Sequence, residues 1–220
     1  MKVPKVNNLV KIHLGCGMNA LDGFINFDNN IFVFFKYVPH IESFFDFFNF
    51  VPKWFCEFIS LARQKNIRYC DASKKLPFKD SSVDLIYSCH MLEHLDKDES
   101  KTFFNESYRV LKKNGVMRIV VPNFHKLIEQ YKNDNDVEKF LRNSCLVGKK
   151  PKNILKKLQY LLQGHGWHHQ MFNEKSLTLF KKLKFSSVEL LDPGKTNLDY
   201  KTSIDYYERD NESLYFEFVK

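Results

Sequence analysis

No run of about 18 consecutive apolar residues occurs in this sequence, so no part of it is expected to cross a membrane as a helix. The opening residues, MKVPKVNNLVKI, hold no apolar core long enough for a secretory leader. Cysteine is scarce and scattered. Cys16, Cys56, Cys70, Cys89 and Cys145 form an odd set with no C-x-x-C pair, which argues against both a disulfide framework and a zinc ribbon. Reduced thiols in a cytoplasmic protein are the expectation. Internal repeats and low-complexity linkers are also missing, so the 220 residues are expected to form a single domain, 1–220. Nor is charge concentrated anywhere. The formal net charge of +8 is spread along the chain. It permits an anionic partner such as a nucleotide sugar, a phosphate-bearing lipid, a membrane surface or RNA, while a solvated lysine-rich surface is the default reading of charge so dispersed.

What is present is a chain with 44% apolar residues, enough to bury a core at this length without disulfides or structural metal. Residues 12–28 read IHLGCGMNALDGFINFD. An apolar run enters two glycines, a short polar stretch follows, and a second apolar run ends on Asp28. Short strands are expected over 11–14 and 24–27. Further strands are expected over 67–71, 85–88, 116–121, 187–191 and 213–219. Helices are expected from Met91 onward, over 100–112 with Phe103, Tyr108 and Leu111 inward, over much of 125–162 and over 176–184. Strands alternating with helices predict an α/β fold, a mostly parallel sheet with helices on both faces.

Gly15-x-Gly17-x-x-Ala20 also fits the looser dinucleotide fingerprint. That fold needs a full helix between its first two strands and an acid about 20 residues beyond the glycines. Here the intervening MNALDG holds at most one helical turn, and Asp28 arrives after roughly half that distance. The spacing fits a nucleoside whose ribose sits close to the glycine loop better than it fits a nicotinamide cofactor.

LGCG, GFINFD, DASKKLPFKDSSVDLIYSCHMLEHL and ESYRVLKKNGVMRIVVPN follow one another along the chain. Together they resemble the motifs of class I S-adenosylmethionine-dependent methyltransferases. More narrowly they resemble the type 11-like group with a shortened first helix, associated with surface-polysaccharide synthesis. The resemblance implies a Rossmann-like class I methyltransferase sheet, mostly parallel with an antiparallel closing strand, and S-adenosylmethionine as cofactor. It implies a cofactor site of Gly15, Cys16, Gly17 and Asn19 in the glycine loop, Asp28 for the ribose hydroxyls, Asp71 and Ala72 for the adenine, and Cys89 and His90 on the far side. Glycines let the backbone turn sharply and approach a ligand, and an ionised carboxylate is acceptor-only, which suits a ribose. Asn19 stands where many relatives have a third glycine, a position Asn tolerates in the left-handed conformation. His13 stands where many relatives carry the acid that helps hold the cofactor's ammonium group.

Three other features carry more than one reading. His90-Met-Leu-Glu-His94 spells H-x-x-E-H, an inverted zinc-peptidase motif. His90 follows directly on a buried strand, the methyltransferase pattern explains the same letters, and no metal is expected. Residues 164–172, GHGWHHQMF, fall where relatives carry a His-rich loop over the acceptor. His168 and His169 are the candidates for a general base, with His165 and Trp167 shaping the pocket; structural loop histidines are the alternative. The phenylalanine-rich segment 31–66 is expected to be a helical insertion of one or two helices. Packing on the sheet, a homodimer interface and peripheral membrane contact are its three readings. The expected reaction is methyl transfer to a hydroxyl or carboxylate of a small molecule, a sugar or nucleotide sugar. An RNA methyltransferase and a non-catalytic binding protein on the same fold are the rivals. The first predicts a clustered basic surface, which the sequence lacks; the second predicts loss of the cofactor residues, which are present.

Overall fold

The computed structural model describes residues 9–48, 53–147 and 166–220. Seven strands form one sheet: β1 (Lys11–Leu14), β2 (Ile25–Asp28), β3 (Arg68–Tyr69), β4 (Val83–Cys89), β5 (Leu111–Pro122), β6 (Ser187–Leu191) and β7 (Ser213–Val219). Their order is β3-β2-β1-β4-β5-β7-β6. All pairings from β3 to β5 are parallel, and β7 runs antiparallel to both β5 and β6. This is the mostly parallel sheet with an antiparallel closing strand that the motifs predict.

β4 reads VDLIYSC and is buried along almost its whole length, the near-continuous apolar pattern of a strand covered on both faces. One face carries Ile12, Leu14, Ile86, Met117 and Ile119 beneath Phe103 and Phe104 of α3 (Lys97–Val110). The other face carries Leu85, Tyr87, Val120 and Tyr215, packed against Leu198, Tyr200, Ile204 and Tyr206. Helices on both faces are therefore only part of the architecture. With no helix between β1 and β2, the irregular connection between β6 and β7 folds over part of this face, and its tyrosines supply the apolar cover.

A buried ion pair fastens that cover. Arg118 and Glu217, opposite each other in the β5–β7 register, are 0% exposed and 2.7 Å apart. Arg118 also donates to the Lys195 carbonyl at 2.9 Å, and its guanidinium lies 5.0 Å from the Tyr206 ring centroid and 5.1 Å from that of Tyr215. Glu217 accepts from the Thr196 hydroxyl and the Asn197 amide as well. Arg118 Nε and Nη2 have no hydrogen-bond partner among the described residues, so the two tyrosine rings and the bonds to Lys195, Thr196 and Asn197 offset only part of the desolvation of two charges.

Several boundaries differ from the sequence expectations for identifiable reasons. α3 begins before Ser100 because Asp96 and Glu99 form a capping box, Asp96 accepting from the Asp98 and Glu99 amides and Glu99 accepting from the Asp96 amide. Leu111 is buried in β5 rather than on the helix, and Tyr108 is half-buried. β5 starts at Leu111, with a register shift against β4 near Val83 and Asn114 left-handed at φ 62°. The strand expected over 67–71 shortens to Arg68–Tyr69 at the sheet edge. The segment after Met91 is a 3-10 turn, Leu92–His94.

The described part of 31–66 is helical: a 3-10 turn Ile31–Tyr37, α1 (Ile41–Phe48) and α2 (Lys53–Gln64). Phe55, Cys56 and Ile59 of α2 are buried against Phe32, Phe35, Ile41 and Phe45, with the Phe32 and Phe55 rings edge-on at 4.4 Å. Phe34, Phe44 and Trp54 stay exposed. After β5 come α4 (Phe124–Asp134) and α5 (Val137–Ser144), both capped at the N-terminus by an Asn or Asp side chain. The later helix, α6 (Ser176–Phe180), is shorter than expected. The expectations for 49–52 and for 148–165, His165 included, lie outside the described residues. No described helix is long and apolar enough to cross a membrane.

Candidate active site

β1 stops at Leu14, and the chain turns through Gly15 at φ 68° and Gly17 at φ 48°. Both values lie in the left-handed region where a Cβ is costly. At Gly15 the reason is also steric, because a Cβ would lie 2.5 Å from Cγ of Met91. Two backbone bonds close the loop without a helix, from the Cys16 amide to the Phe27 carbonyl and from the Asn19 amide to the Cys16 carbonyl. Asp28 ends β2 beside it. One carboxylate oxygen accepts from the Gly17 amide at 2.8 Å and the other from the Asn30 amide at 2.8 Å. Burial raises the Asp28 pKa, and these two amides work to lower it. Each oxygen keeps acceptor capacity for one more donor.

A cavity of about 450 Å³ opens at the carboxyl ends of β1, β2 and β4, where open α/β sheets bind ligands. Of the residues singled out from the sequence, Gly15, Asp28, Asp71, Ala72, His90 and His169 line it. Trp167 and His94 close its far side. Asp71 points its carboxylate at the Ser73 hydroxyl, at 2.6 Å, and at Lys74, at 3.1 Å. Burial works to raise its pKa, but the bonds from Ser73 and Lys74 prevail and hold it below the ordinary range.

The other nominated residues lie elsewhere. Cys16 packs into the apolar cluster of Val33, Phe58 and Ala62, and burial, reinforced by Asp28, pushes its thiol well up. Gly17 shapes the loop and binds Asp28 but does not line the cavity. Asn19 is exposed and has no left-handed φ; its side-chain amide donates to Glu208 at 3.1 Å. The glycine-like role expected of Asn19 is therefore corrected: it ties the loop to the β6–β7 connection. Cys89 shares the strand face of Leu85 and Tyr87, since strand side chains alternate, and does not line this cavity. His13 is buried against Tyr87, ring centroids 5.0 Å apart, and does not line it either.

His168 faces a second cavity of about 330 Å³, with Lys126, Arg142, Cys145 and Arg209 also on its wall. Between the two cavities sits a cluster the sequence did not single out as a unit. Glu93 is 0% exposed, and neither carboxylate oxygen has a hydrogen-bond partner among the described residues. His90 Nδ1 stands 3.3 Å from it and His168 Nε2 3.8 Å, while the His94 and His168 rings meet edge-on at 5.0 Å. Burial pushes the Glu93 carboxyl up to about 8, against its own backbone amide and the Arg209 charge. Burial, then Arg209, His168 and His94, hold His90 down at about 3. Burial, then His94 and Arg209, hold His168 at about 4, with the Ser144 backbone working the other way. The signal for Glu93 was present: one acid among Met91, Leu92 and Leu95. Arg142 and Arg209 left no comparable trace.

The His-rich loop is pinned to this turn. The amides of His169 and Gln170 both donate to the Glu93 carbonyl, at 2.7 and 3.2 Å. The Gln170 side chain donates to the Leu95 carbonyl and the Ser100 hydroxyl, and the His168 amide donates to the Cys145 carbonyl.

Residues 55–119 match the family model described as a methyltransferase domain. No curated protein sequence matches the chain. Among solved structures, a S-adenosylmethionine-dependent methyltransferase from Thermotoga maritima, described as a possible histamine N-methyltransferase, is similar at 14% identity and a TM-score of 0.50, covering 98% of this chain and 84% of that one. One from Mesorhizobium loti is similar at 14% identity and a TM-score of 0.50, covering 99% and 94%. One from Archaeoglobus fulgidus gives 14%, 0.50, 96% and 86%. The sequence match is to a methyltransferase domain, and the fold is the one shared with these S-adenosylmethionine-dependent methyltransferases.

Proposed function

We propose that this chain transfers a methyl group from S-adenosylmethionine to an oxygen of a small anionic acceptor, a hydroxyl or carboxylate of a sugar or nucleotide sugar in surface-glycan synthesis. One observation carries the reading: a single cavity joins Gly15, Asp28 and Ala72 to Trp167, His94 and His169, so cofactor-type and acceptor-type residues face one space. The residues present fit the cofactor. Asp28 keeps one unused acceptor direction on each oxygen toward the cavity, and Gly15 leaves room where any side chain would strike Met91. When bound, S-adenosylmethionine supplies an already activated methyl group. Asp28 would hold the ribose hydroxyls, and Ala72 with the neighbouring Asp71 would flank the adenine.

The chain's own contribution is positioning and the exclusion of water. Trp167 and the loop pinned on the Glu93 carbonyl wall off the cavity. His169 is the candidate to take the acceptor proton, because it lines the cavity that Asp28 lines. His168, the other candidate, faces Glu93 and the second cavity. Lys126, Arg142 and Arg209 on that second wall favour an acceptor carrying phosphate; Glu212 pairs with Arg209 there.

The test is calorimetric titration with S-adenosylmethionine, S-adenosylhomocysteine and NAD, followed by methyl-transfer assays on nucleotide sugars. Micromolar binding of the first two and none of NAD is expected, with turnover on at least one phosphorylated sugar. Binding of NAD in their place would overturn the reading. His168→Ala and His169→Ala, assayed with the acceptor, assign the base.

A further inference from the structure

We propose that Glu93, His94 and His168 form a binding site for a divalent transition-metal ion at the junction of the two cavities. The donor atoms of these three side chains lie within 4.8 Å of one another. Donors on a tetrahedral ion with bonds of about 2.0–2.1 Å sit roughly 3.4 Å apart, so small side-chain rotations close the set. Two imidazoles and one carboxylate suit Zn²⁺, Mn²⁺ or Co²⁺ rather than Mg²⁺ or Ca²⁺, which prefer all-oxygen ligands. Three protein ligands leave a position open for an exogenous oxygen, as in catalytic sites.

Three features set this cluster apart from an accidental one. Glu93 is fully buried with both oxygens lacking hydrogen-bond partners among the described residues, and such a carboxylate is costly unless something neutralises it. His94 Nδ1 lies 3.1 Å from the Trp167 carbonyl. That bond places the proton on Nδ1 and leaves Nε2 as a lone-pair donor, the outer contact metal-bound histidines usually make. His168 is held in place by its own amide on Cys145 and by the neighbouring amides on Glu93, so the third ligand arrives preorganised. The ligand set is not the one H-x-x-E-H implies. That motif needs a helix to align its two histidines, whereas here only a 3-10 turn follows His90, and the third ligand comes from residue 168. His90 is tied to Ser213 at 2.8 Å and stands beside Glu93 as a neighbour. The Arg209 charge opposes a cation here, and its pairing with Glu212 at 2.5 Å offsets part of that.

Access exists from both sides, since His94 lines one cavity and His168 the other. An ion there would present its open position to an acceptor oxygen. Binding of the ion does not depend on the methyl-transfer reading, so the two stand or fall separately.

The experiment is metal analysis and Co²⁺ titration of the full chain, stripped with chelator and dialysed. One equivalent of Zn²⁺ or Co²⁺ per chain is expected, with visible Co²⁺ absorption and a raised melting temperature. His168→Ala and Glu93→Gln should each weaken Co²⁺ affinity by at least tenfold. His168→Ala lies in a loop, and retention of the far-ultraviolet circular dichroism spectrum and of S-adenosylhomocysteine binding shows that it is folded. Failure of the wild type to bind any of Zn²⁺, Mn²⁺ and Co²⁺, or equal binding by wild type and folded His168→Ala, would overturn the site. A wild type that binds the metal but not S-adenosylhomocysteine would support the site and count against the proposed function, with circular dichroism alone then reporting the folding of His168→Ala.

Discussion

His13 makes the stability of this fold depend on acid in a way that can be isolated. Burial lowers its pKa from 6.5 to about 4, against a smaller upward effect of the Asn26 side chain. In the folded chain it is therefore neutral at pH values where the unfolded chain carries it protonated. The unfolded state binds the extra proton, so stability is full above about 6.5 and falls as the pH drops toward the folded value, with no further loss below it. At about pH 5 the loss attributable to this one group is ~2 kcal/mol, rising to about 3 kcal/mol once both states are protonated. Other buried histidines add to the total, so the diagnostic quantity is a difference. His13→Phe retains a ring against Tyr87, whose centroid is 5.0 Å away, and cannot titrate. Urea unfolding of both proteins between about pH 7.5 and pH 5 should show the wild type losing ~2 kcal/mol more than the variant. Equal losses would refute the assignment of a neutral buried imidazole at this position.

Three further outcomes are expected. Gly15→Ala should cost about 1–2 kcal/mol from its left-handed backbone alone, plus displacement of Met91, and should weaken S-adenosylhomocysteine binding; thermal melting and calorimetry read both, and a variant that binds normally would contradict the geometry. Asp28→Asn turns an amino group toward either the Gly17 or the Asn30 amide, and cofactor affinity should drop on the order of ten- to a hundredfold, measured by titration. Arg118→Met strands Glu217 in the interior and should cost roughly 3–5 kcal/mol. Arg118→Met with Glu217→Leu should recover much of that but not all, because Thr196 and Asn197 also lose their acceptor; complete recovery in denaturant titrations would show the pair does not anchor the β6–β7 connection.

The sheet was legible in the sequence wherever local pattern decides structure. β1 and β2 flank paired glycines, β4 is an unbroken apolar run, and β7 alternates. The brevity of MNALDG was enough to exclude a helix between β1 and β2, and the structure places only turns there. The capping box at Asp96 was equally local and still went unused, which moved the start of α3. What could not be read were pairings between distant residues. Asn19 meets Glu208 across 189 positions. His168 reaches Glu93 only because the chain around 166–170 returns to hydrogen-bond the turn after β4. The side of the sheet on which Cys89 falls follows from the alternation of β4 once its register is fixed. That register was not available while the strand was taken to end at Ser88.

The position of β7 sets a condition on how the molecule folds. Among the described residues β6 pairs with no strand except β7, and β7 lies between it and β5, although β6 precedes it in sequence. Until residues 213–219 dock, β6 has no edge to join, and the exposed side of β5 is an open template. Closure must therefore bring β7 onto β5 from about ninety to a hundred residues away, a separation that slows folding. The intermediate that waits for it carries an unpaired strand edge prone to aggregation. Refolding yield should fall with protein concentration for this reason, and a synthetic peptide of residues 213–219 added in trans would compete for the same edge.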